Sequence, residues 1–448
     1  MNQGGRRVVI TGIGIVAPGN RDTAAFWESA LAGKATAARI PEHWLLYFTP
    51  YSKLYAPLPA IDWPAYPISR TESMQLDMTA KLAIAAAWQA VRHAGFTPEL
   101  RDEKKNTFTI NNIDRNRSGV FLGTGMGGIC SFAANEGHQL YFPLQKALKR
   151  DGREPAPEFP FVRCAPKFNP FAVSMSMPNG ASAALGIKFS LNGTNRTIGG
   201  ACAAGTMAIG GAFEAVRTGL LDLTLAGGVE YLADEYGGIF RAFDIARTLV
   251  TGCDKTEAAN CPFDQKRSGF LFAEGGCAVL VLESLDRALS RGGTPIAEIT
   301  AYAETFDAYS AMAMDPSARE IEAMLATLLA GAHLPAEAID YINTHGTGTI
   351  ANDEIEAGVI ERMFGKRPAI NTTKSLIGHT VGAAGAIEAA VTALSIRDQK
   401  IHGCANLTDP VRDLNFVVTA RSLAVNHAVS QSFAFGGHNA ALVLSKPD

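Results

Sequence analysis

Apolar runs of strand length alternate with alanine-rich stretches of helical period along the chain, and that alternation predicts an α/β protein. Two further observations sharpen the expectation. The candidate strands VVITGIGIV, LTLAGGVEYL and the stretch 278–283 are largely apolar and do not alternate, which predicts parallel strands covered on both faces. The alternation also runs twice, once before and once after Gly292-Gly293, and 448 residues exceed the usual size of one domain. Residues 1–292 and 293–448 are therefore expected to be two halves that repeat one pattern, without local sequence identity between them.

The elements follow in order. Residues 8–14 read as a strand, 78–94 as a helix and 119–123 as a strand. Residues 36–70 are rich in Pro, Tyr and Trp without a period, and 100–117 are polar and charged, so both are expected to be loops. RTIGGACAAG runs from a strand into small residues and then into a helix over 204–221. A short helix over 285–291 ends at the paired glycines. The second series begins at 296 with a strand and continues through a helix at 318–332, strand IDYINTH, a helix at 353–363, strand AINTT and a helix at 382–396.

Composition excludes several classes. With 47% hydrophobic and 19% charged residues the chain is an ordinary globular protein, and a net charge of −3 without basic runs predicts no nucleic-acid partner. Arg6-Arg7 before an apolar run superficially resembles a signal peptide, but two glycines and many β-branched residues mark a buried strand instead. No apolar stretch approaches the roughly 20 residues of a membrane span. The seven cysteines show neither CxxC nor framework spacing. A cytoplasmic, reducing location is expected, with no metal site because His, Cys and carboxylates do not cluster in sequence.

Three residues carry the candidate chemistry. Cys202 stands in GACAAG at a strand-to-helix junction, where a large substrate can approach and the helix N-terminus favours thiolate. Read alone it fits a small buried core residue better. His345, in NTHGTGT after a strand, and His379, in KSLIGHT before an alanine-rich helix, change that balance. Both lie in glycine-flanked junctions after strands, where open α/β sheets place their crevices.

GGACAAG, NTHGTGT with Asp353 and Glu356 after it, KSLIGHTVGAAGAIEA and FAFGGHNA together resemble the β-ketoacyl synthase family, in its elongating fatty-acid and polyketide branch. Further matching stretches are RVVITGIGIVAPG, GTGMGG at 123–128, 177–193 and 264–292, so the resemblance covers most of the chain. It implies a thiolase-like layered αβαβα fold and a decarboxylative condensation of an acyl thioester with malonyl-acyl carrier protein. Cys202 is then the acyl-carrying nucleophile, His345 and His379 the donors that stabilise the enolate, and Lys374 a residue that orders the site electrostatically. Backbone N–H groups of Cys202 and Phe435 form the implied oxyanion hole, and Phe435 is the implied aromatic gate. Thr347 and Thr349 are implied contacts of the phosphopantetheine arm, and Glu274 and Asp353 are read as structural. The arm of acyl carrier protein replaces any separate cofactor. The family's working unit implies a homodimer, or a heterodimer with a ketosynthase-like chain-length partner.

Three positions depart from the family pattern: Gly200 stands for the usual Thr, Ala434 for Gly before the gate, and His438 for Thr after the paired glycines. None removes a catalytic group, so they bear on substrate preference. A coenzyme A-dependent thiolase wants a second cysteine in the C-terminal glycine-rich loop, and FGGHNA has none. A non-catalytic partner subunit, or a purely structural binding module, would not need all three of Cys202, His345 and His379.

Overall fold

The computed structural model describes residues 5–153 and 168–448. Among these, ten strands form one mixed sheet. Five belong to the first series: β1 (Val8–Val16), β2 (Ser118–Thr124), β3 (Asn195–Gly199), β4 (Leu223–Tyr231) and β5 (Gly275–Ser284). Five belong to the second: β6 (Ala297–Phe306), β7 (Tyr341–Asn343), β8 (Ala369–Asn371), β9 (His427–Phe433) and β10 (His438–Ser445).

The strand order is β8-β7-β9-β10-β6-β1-β5-β4-β2-β3. Adding five to each label of the first set, read outward from β1, gives the second set read outward from β6. Directions repeat as well. β2 is parallel to β3 and β4, while β4–β5 and β5–β1 are antiparallel. β7 is parallel to β8 and β9, while β9–β10 and β10–β6 are antiparallel. An antiparallel pairing of Val8–Ile10 with Ala297–Ile299 joins the two sets.

The expectation of a parallel sheet is corrected: β1, β5, β4, β9 and β10 take part in antiparallel ladders. Their lack of apolar and polar alternation has another cause. These strands are buried along nearly their whole length, and covering both faces suppresses alternation whatever the direction of the neighbour.

Helix α1 (Met78–His93) and α2 (Gly180–Lys188) cover the outer face of the first set, and α3 (Ala204–Arg217) and α6 (Ala384–Asp398) lie between the two sets. On the outer face of the second set lies α4 (Arg319–Ala332), which meets α5 (Ile350–Phe364). The layers thus read αβαβα. α6 is buried from Ala384 to Ile396, as a central layer requires. Where α3 and α6 cross, a Cβ on Gly205 would stand 2.7 Å from Ala386 N, and one on Gly385 would stand 2.1 Å from Thr206 Oγ1. Only glycine permits that approach. Here the halves do share local sequence, against expectation: Ala203-Ala204-Gly205 and Ala383-Ala384-Gly385 open equivalent helices for the same packing reason.

Both expected loops hold structure. Residues 98–110 form a hairpin of Pro98–Asp102 with Thr107–Ile110, polar because it lies on the surface. The aromatic excursion contributes Leu54–Ala56 to a small sheet with Phe272–Ala273. Its Trp44 is buried against Phe240, with ring centroids 5.5 Å apart, so the segment is a packed satellite of the core.

Lys188 at the end of α2 is buried, and its ammonium reaches Glu72 Oε1 at 2.5 Å, Pro67 O at 2.7 Å and Asn106 O at 2.8 Å. This one cation ties two surface segments, 67–72 and the hairpin at Asn106, to the outer helix layer. Replacing it by Met removes all three bonds and strands the acceptors, so Lys188→Met is expected to lose roughly 2–3 kcal/mol of stability, visible as a lower urea midpoint. An unchanged midpoint would contradict the role.

Candidate active site

Cys202 lies in a 3₁₀ turn, Ala201–Ala203, that leads directly into α3. Ala201 takes φ +43°, a left-handed value that turns the chain sharply from strand to helix and places the sulfur at its N-terminus. His345 follows β7 by two residues. His379 comes later after its strand than expected, since the single-turn helix Lys374–Ile377 intervenes after β8. Three strand-to-helix connections thereby converge on one buried point. Cys202 is 6% exposed and both histidines 3%.

His379 Nε2 stands 3.0 Å from Cys202 Sγ, and the two imidazole centroids are 5.5 Å apart at 86°. The sulfur and one ring nitrogen of each histidine lie within 4.8 Å of one another, a spacing that a metal could span. The outward ring nitrogens favour a different use. Lys374 Nζ lies 3.1 Å from His345 Nδ1, and an ammonium can only donate, so His345 carries its proton on Nε2. Val381 N–H donates to His379 Nδ1 at 3.3 Å, which puts that proton on Nε2 too. Metal-bound histidines turn an N–H outward to an acceptor; here both outward partners are donors. The pair therefore presents two N–H groups inward.

Burial keeps both rings uncharged, lowering each pKa well below the usual histidine value, and the nearby Lys374 charge lowers them further. Lys374 is itself 1% exposed. Its three protons go to His345 Nδ1, to His345 O at 2.6 Å and to Glu388 Oε1 at 2.5 Å. Burial pushes Glu388 up to about 7 against the pull of that lysine. Glu356 accepts the backbone N–H groups of His345 and Gly346 at 2.7 Å each, fixing the loop from below. Asp353 accepts from Phe263 and Gly348, and Glu274 from Leu58, so both bind loops to one another beside the site.

The remaining sequence-derived residues surround this centre. Phe435 N–H reaches the Cys202 sulfur, and the Phe435 ring is half-buried. It is followed by Gly436 and Gly437 at φ +88° and +85°. Ala434 N–H donates to His438 O, and the His438 ring packs on Phe306 at 5.1 Å. Thr347 and Thr349 share a hydroxyl hydrogen bond of 2.9 Å at the start of α5. Glu388, Glu230 and Phe270, whose ring meets His379 edge-on at 5.1 Å, escaped the sequence reading. Glu388 had a visible signal, an acid inside the otherwise apolar run AAGAIEAAVTAL.

The thiolate expected at neutral pH is not the resting form. Burial pushes the Cys202 thiol up to about 11, opposed by the Lys374 charge and the Phe435 N–H and reinforced by Glu230 and Glu388. Since only thiolate is nucleophilic, alkylation of Cys202 by iodoacetamide should accelerate about tenfold per pH unit between roughly pH 7 and 9. Lys374→Met, which removes the cation that favours thiolate, should be slower at every pH. A rate that is flat over that range, followed by mass spectrometry of the Cys202 peptide, would show the thiolate already formed.

No helix among the described residues is long and apolar enough to cross a membrane. Residues 5–288 match the family model for the N-terminal domain of β-ketoacyl synthase, and residues 296–408 that for the C-terminal domain. The chain is 33% identical to 3-oxoacyl-[acyl-carrier-protein] synthase 2 of Coxiella burnetii over 98% of this chain and 99% of the relative. It is 28% identical to the crystal structure of a β-ketoacyl synthase from Burkholderia phymatum, with a TM-score of 0.82 over 99% of this chain and all of that one. A type II polyketide ketosynthase, solved in complex with its acyl-carrier protein and bound to the hexaketide, matches at 25% identity and a TM-score of 0.81, over 99% of this chain and all of that one. The chain therefore belongs to the β-ketoacyl synthase family and is an enzyme of acyl-carrier-protein-dependent condensation in fatty-acid or polyketide elongation.

Proposed function

We propose that Cys202 takes an acyl group from the phosphopantetheine arm of acyl carrier protein and that His345 and His379 then stabilise the enolate formed from a malonyl unit on a second carrier. One observation carries this reading: both imidazoles are held in the tautomer that points Nε2–H at the space beside the sulfur. In the first stage the Cys202 sulfur attacks the acyl thioester carbon, the bond to the carrier sulfur breaks, and the thiol proton leaves with the carrier thiol. The oxyanion forms against the backbone N–H groups of Cys202 and Phe435.

In the second stage the carboxylate of the malonyl group departs as carbon dioxide, and the electron pair of the broken bond becomes the enolate. Its oxygen accepts from the two Nε2–H groups. The enolate carbon attacks the acyl carbon on Cys202, the carbon–sulfur bond breaks, and the released thiolate takes one proton from solvent. Neutral imidazoles suit this step because they donate without bringing a charge that must be solvated. Lys374 orders the pair, and Thr347 and Thr349 offer hydroxyls to the amides of the arm. The gate is Phe435, swinging on Gly436 and Gly437. No metal or redox group is required by this chemistry, and the phosphopantetheine arm is the only prosthetic element it uses.

The working form is a dimer in the cytoplasm. Support comes from β3, which ends the sheet with one side unpaired among the described residues, and from Ile187 of the neighbouring helix α2, 66% exposed. An open edge beside apolar side chains is a surface that soluble proteins cover. A second ketosynthase chain, identical or a chain-length partner, would extend the sheet there.

Incubation with acyl-carrier protein should leave an acyl adduct, seen by intact mass, that Cys202→Ala abolishes. His345→Ala and His379→Ala should each slow malonyl-carrier decarboxylation by about 10²–10³, the cost of one oxyanion donor. Absence of an adduct at every chain length, or native decarboxylation in both histidine variants, would overturn the roles. Light scattering of the purified chain should give twice the 47.5 kDa protomer mass; a stable monomer that condenses at full rate would remove the dimer from the proposal.

A further inference from the structure

Glu230, the penultimate residue of β4, is fully buried and has no part in the chemistry above. Its Oε2 accepts from Gly125 N at 2.6 Å and Gly382 N at 3.1 Å, and its Oε1 from Met126 N and Thr124 Oγ1, both at 3.1 Å. Four donors from two separate segments close on one carboxylate, and among the described residues no cation pairs with it. The segments are shaped for it: a Cβ on Gly125 would stand 2.5 Å from Oε2 and one on Gly382 2.6 Å from it.

Gly382 belongs to the turn Val381–Ala383 that opens α6. Val381 takes φ +47° there, a left-handed conformation that is costly for a β-branched side chain. The same Val381 supplies the N–H that fixes His379 as the Nε2–H tautomer. The neighbouring peptide N–H, that of Gly382, is the one Glu230 grips. We propose that Glu230 is a positioning residue that holds the strained Val381 turn and, through it, the tautomer in which His379 presents its proton to Cys202. The inference rests on the reading of His379 given above. Burial pushes the Glu230 carboxyl up to about 7 against its four donors, so measurements belong at about pH 8, where it is ionised.

Glu230→Gln places an NH₂ group against backbone N–H donors. Decarboxylation of malonyl-carrier should fall roughly ten- to a hundredfold, the usual cost of losing a partner that orients a histidine. Acylation of Cys202, read by intact mass, should not slow, because the charge of Glu230 opposes the thiolate. Long-range NMR of ¹⁵N-histidine-labelled enzyme should show His379 leaving its single Nε2–H form. Adding Val381→Gly, which adopts the left-handed turn freely, should recover most of the lost rate. Should Glu230→Gln not accumulate as folded protein, Thr124→Val removes one donor and should show the same two changes more weakly. Native rate and native tautomer in the variant that folds, or no recovery with Val381→Gly, would overturn the inference. His379→Ala separates the two readings: if it decarboxylates at the native rate, the assigned role of His379 fails, and if only Glu230→Gln is native, the role of Glu230 alone fails.

Discussion

The ammonium of Lys374 is the contact on which the rest of the site depends. It is buried, and all three of its protons are committed, two to His345 and one to Glu388. An ammonium that can only donate dictates which nitrogen of His345 holds a proton, and no neutral side chain would dictate it as firmly. Burial keeps both imidazoles from protonating, and the Lys374 charge adds to that effect while giving the main electrostatic pull on the thiol toward thiolate. One buried cation thus reinforces burial at the two imidazoles and opposes it at the thiol. Glu388 makes its burial tolerable, since a charge at that depth without a partner is costly.

The second constraint is the repeat. Each half sends a chain from a parallel strand into a central helix through a 3₁₀ turn, and each turn contains one residue at left-handed φ, Ala201 in the first and Val381 in the second. The two central helices then pack at glycine on glycine. In the first half the turn offers Cys202, and in the second the equivalent position is Gly382. Of the two equivalent turns, one carries Cys202 and the other holds the histidine beside it. The pairing of β1 with β6 holds the two turns in one body, so the 3.0 Å contact between Cys202 and His379 spans the halves without depending on a flexible linker.

Much of this was legible in sequence because the signals were local. Strand and helix alternation, the glycine-flanked junctions and the motifs around Cys202, His345 and His379 each depend on a few neighbouring residues. Strand direction was not legible, since apolar runs report burial on two faces and say nothing about the neighbour's polarity. The hairpin at 98–110 was missed because an exposed ladder is polar and resembles a loop. Glu230 and Glu388 stand far in sequence from the residues they hold, 152 and 14 positions from their partners. Only the fold shows which donors a buried acid meets. The resting thiol was misjudged for the same reason, because a helix N-terminus can be read from a motif and complete burial cannot.

The departures at Ala434 and His438 fall in a part of the structure governed by different physics. The Lys374 network is buried, and its three donors close on His345 and Glu388, so its geometry tolerates little change. The segment from Ala434 to His438 is a turn between β9 and β10 whose two glycines carry the positive φ values, and Ala434 does not. A Cβ at 434 is therefore accommodated without strain, and the hinge of the turn is displaced onto Gly436 and Gly437. His438 ends that hinge by packing on Phe306, which anchors its outer side to β6 while Gly436 N–H is held by Ala311 O. The half-buried Phe435 sits between a fixed N–H at the sulfur and this aromatic anchor. With Phe435 as the proposed gate, variation at this anchor bears on which acyl group is admitted, while the Lys374 network stays in place. The proposed chemistry and the proposed selection of substrate then rest on separate parts of one site.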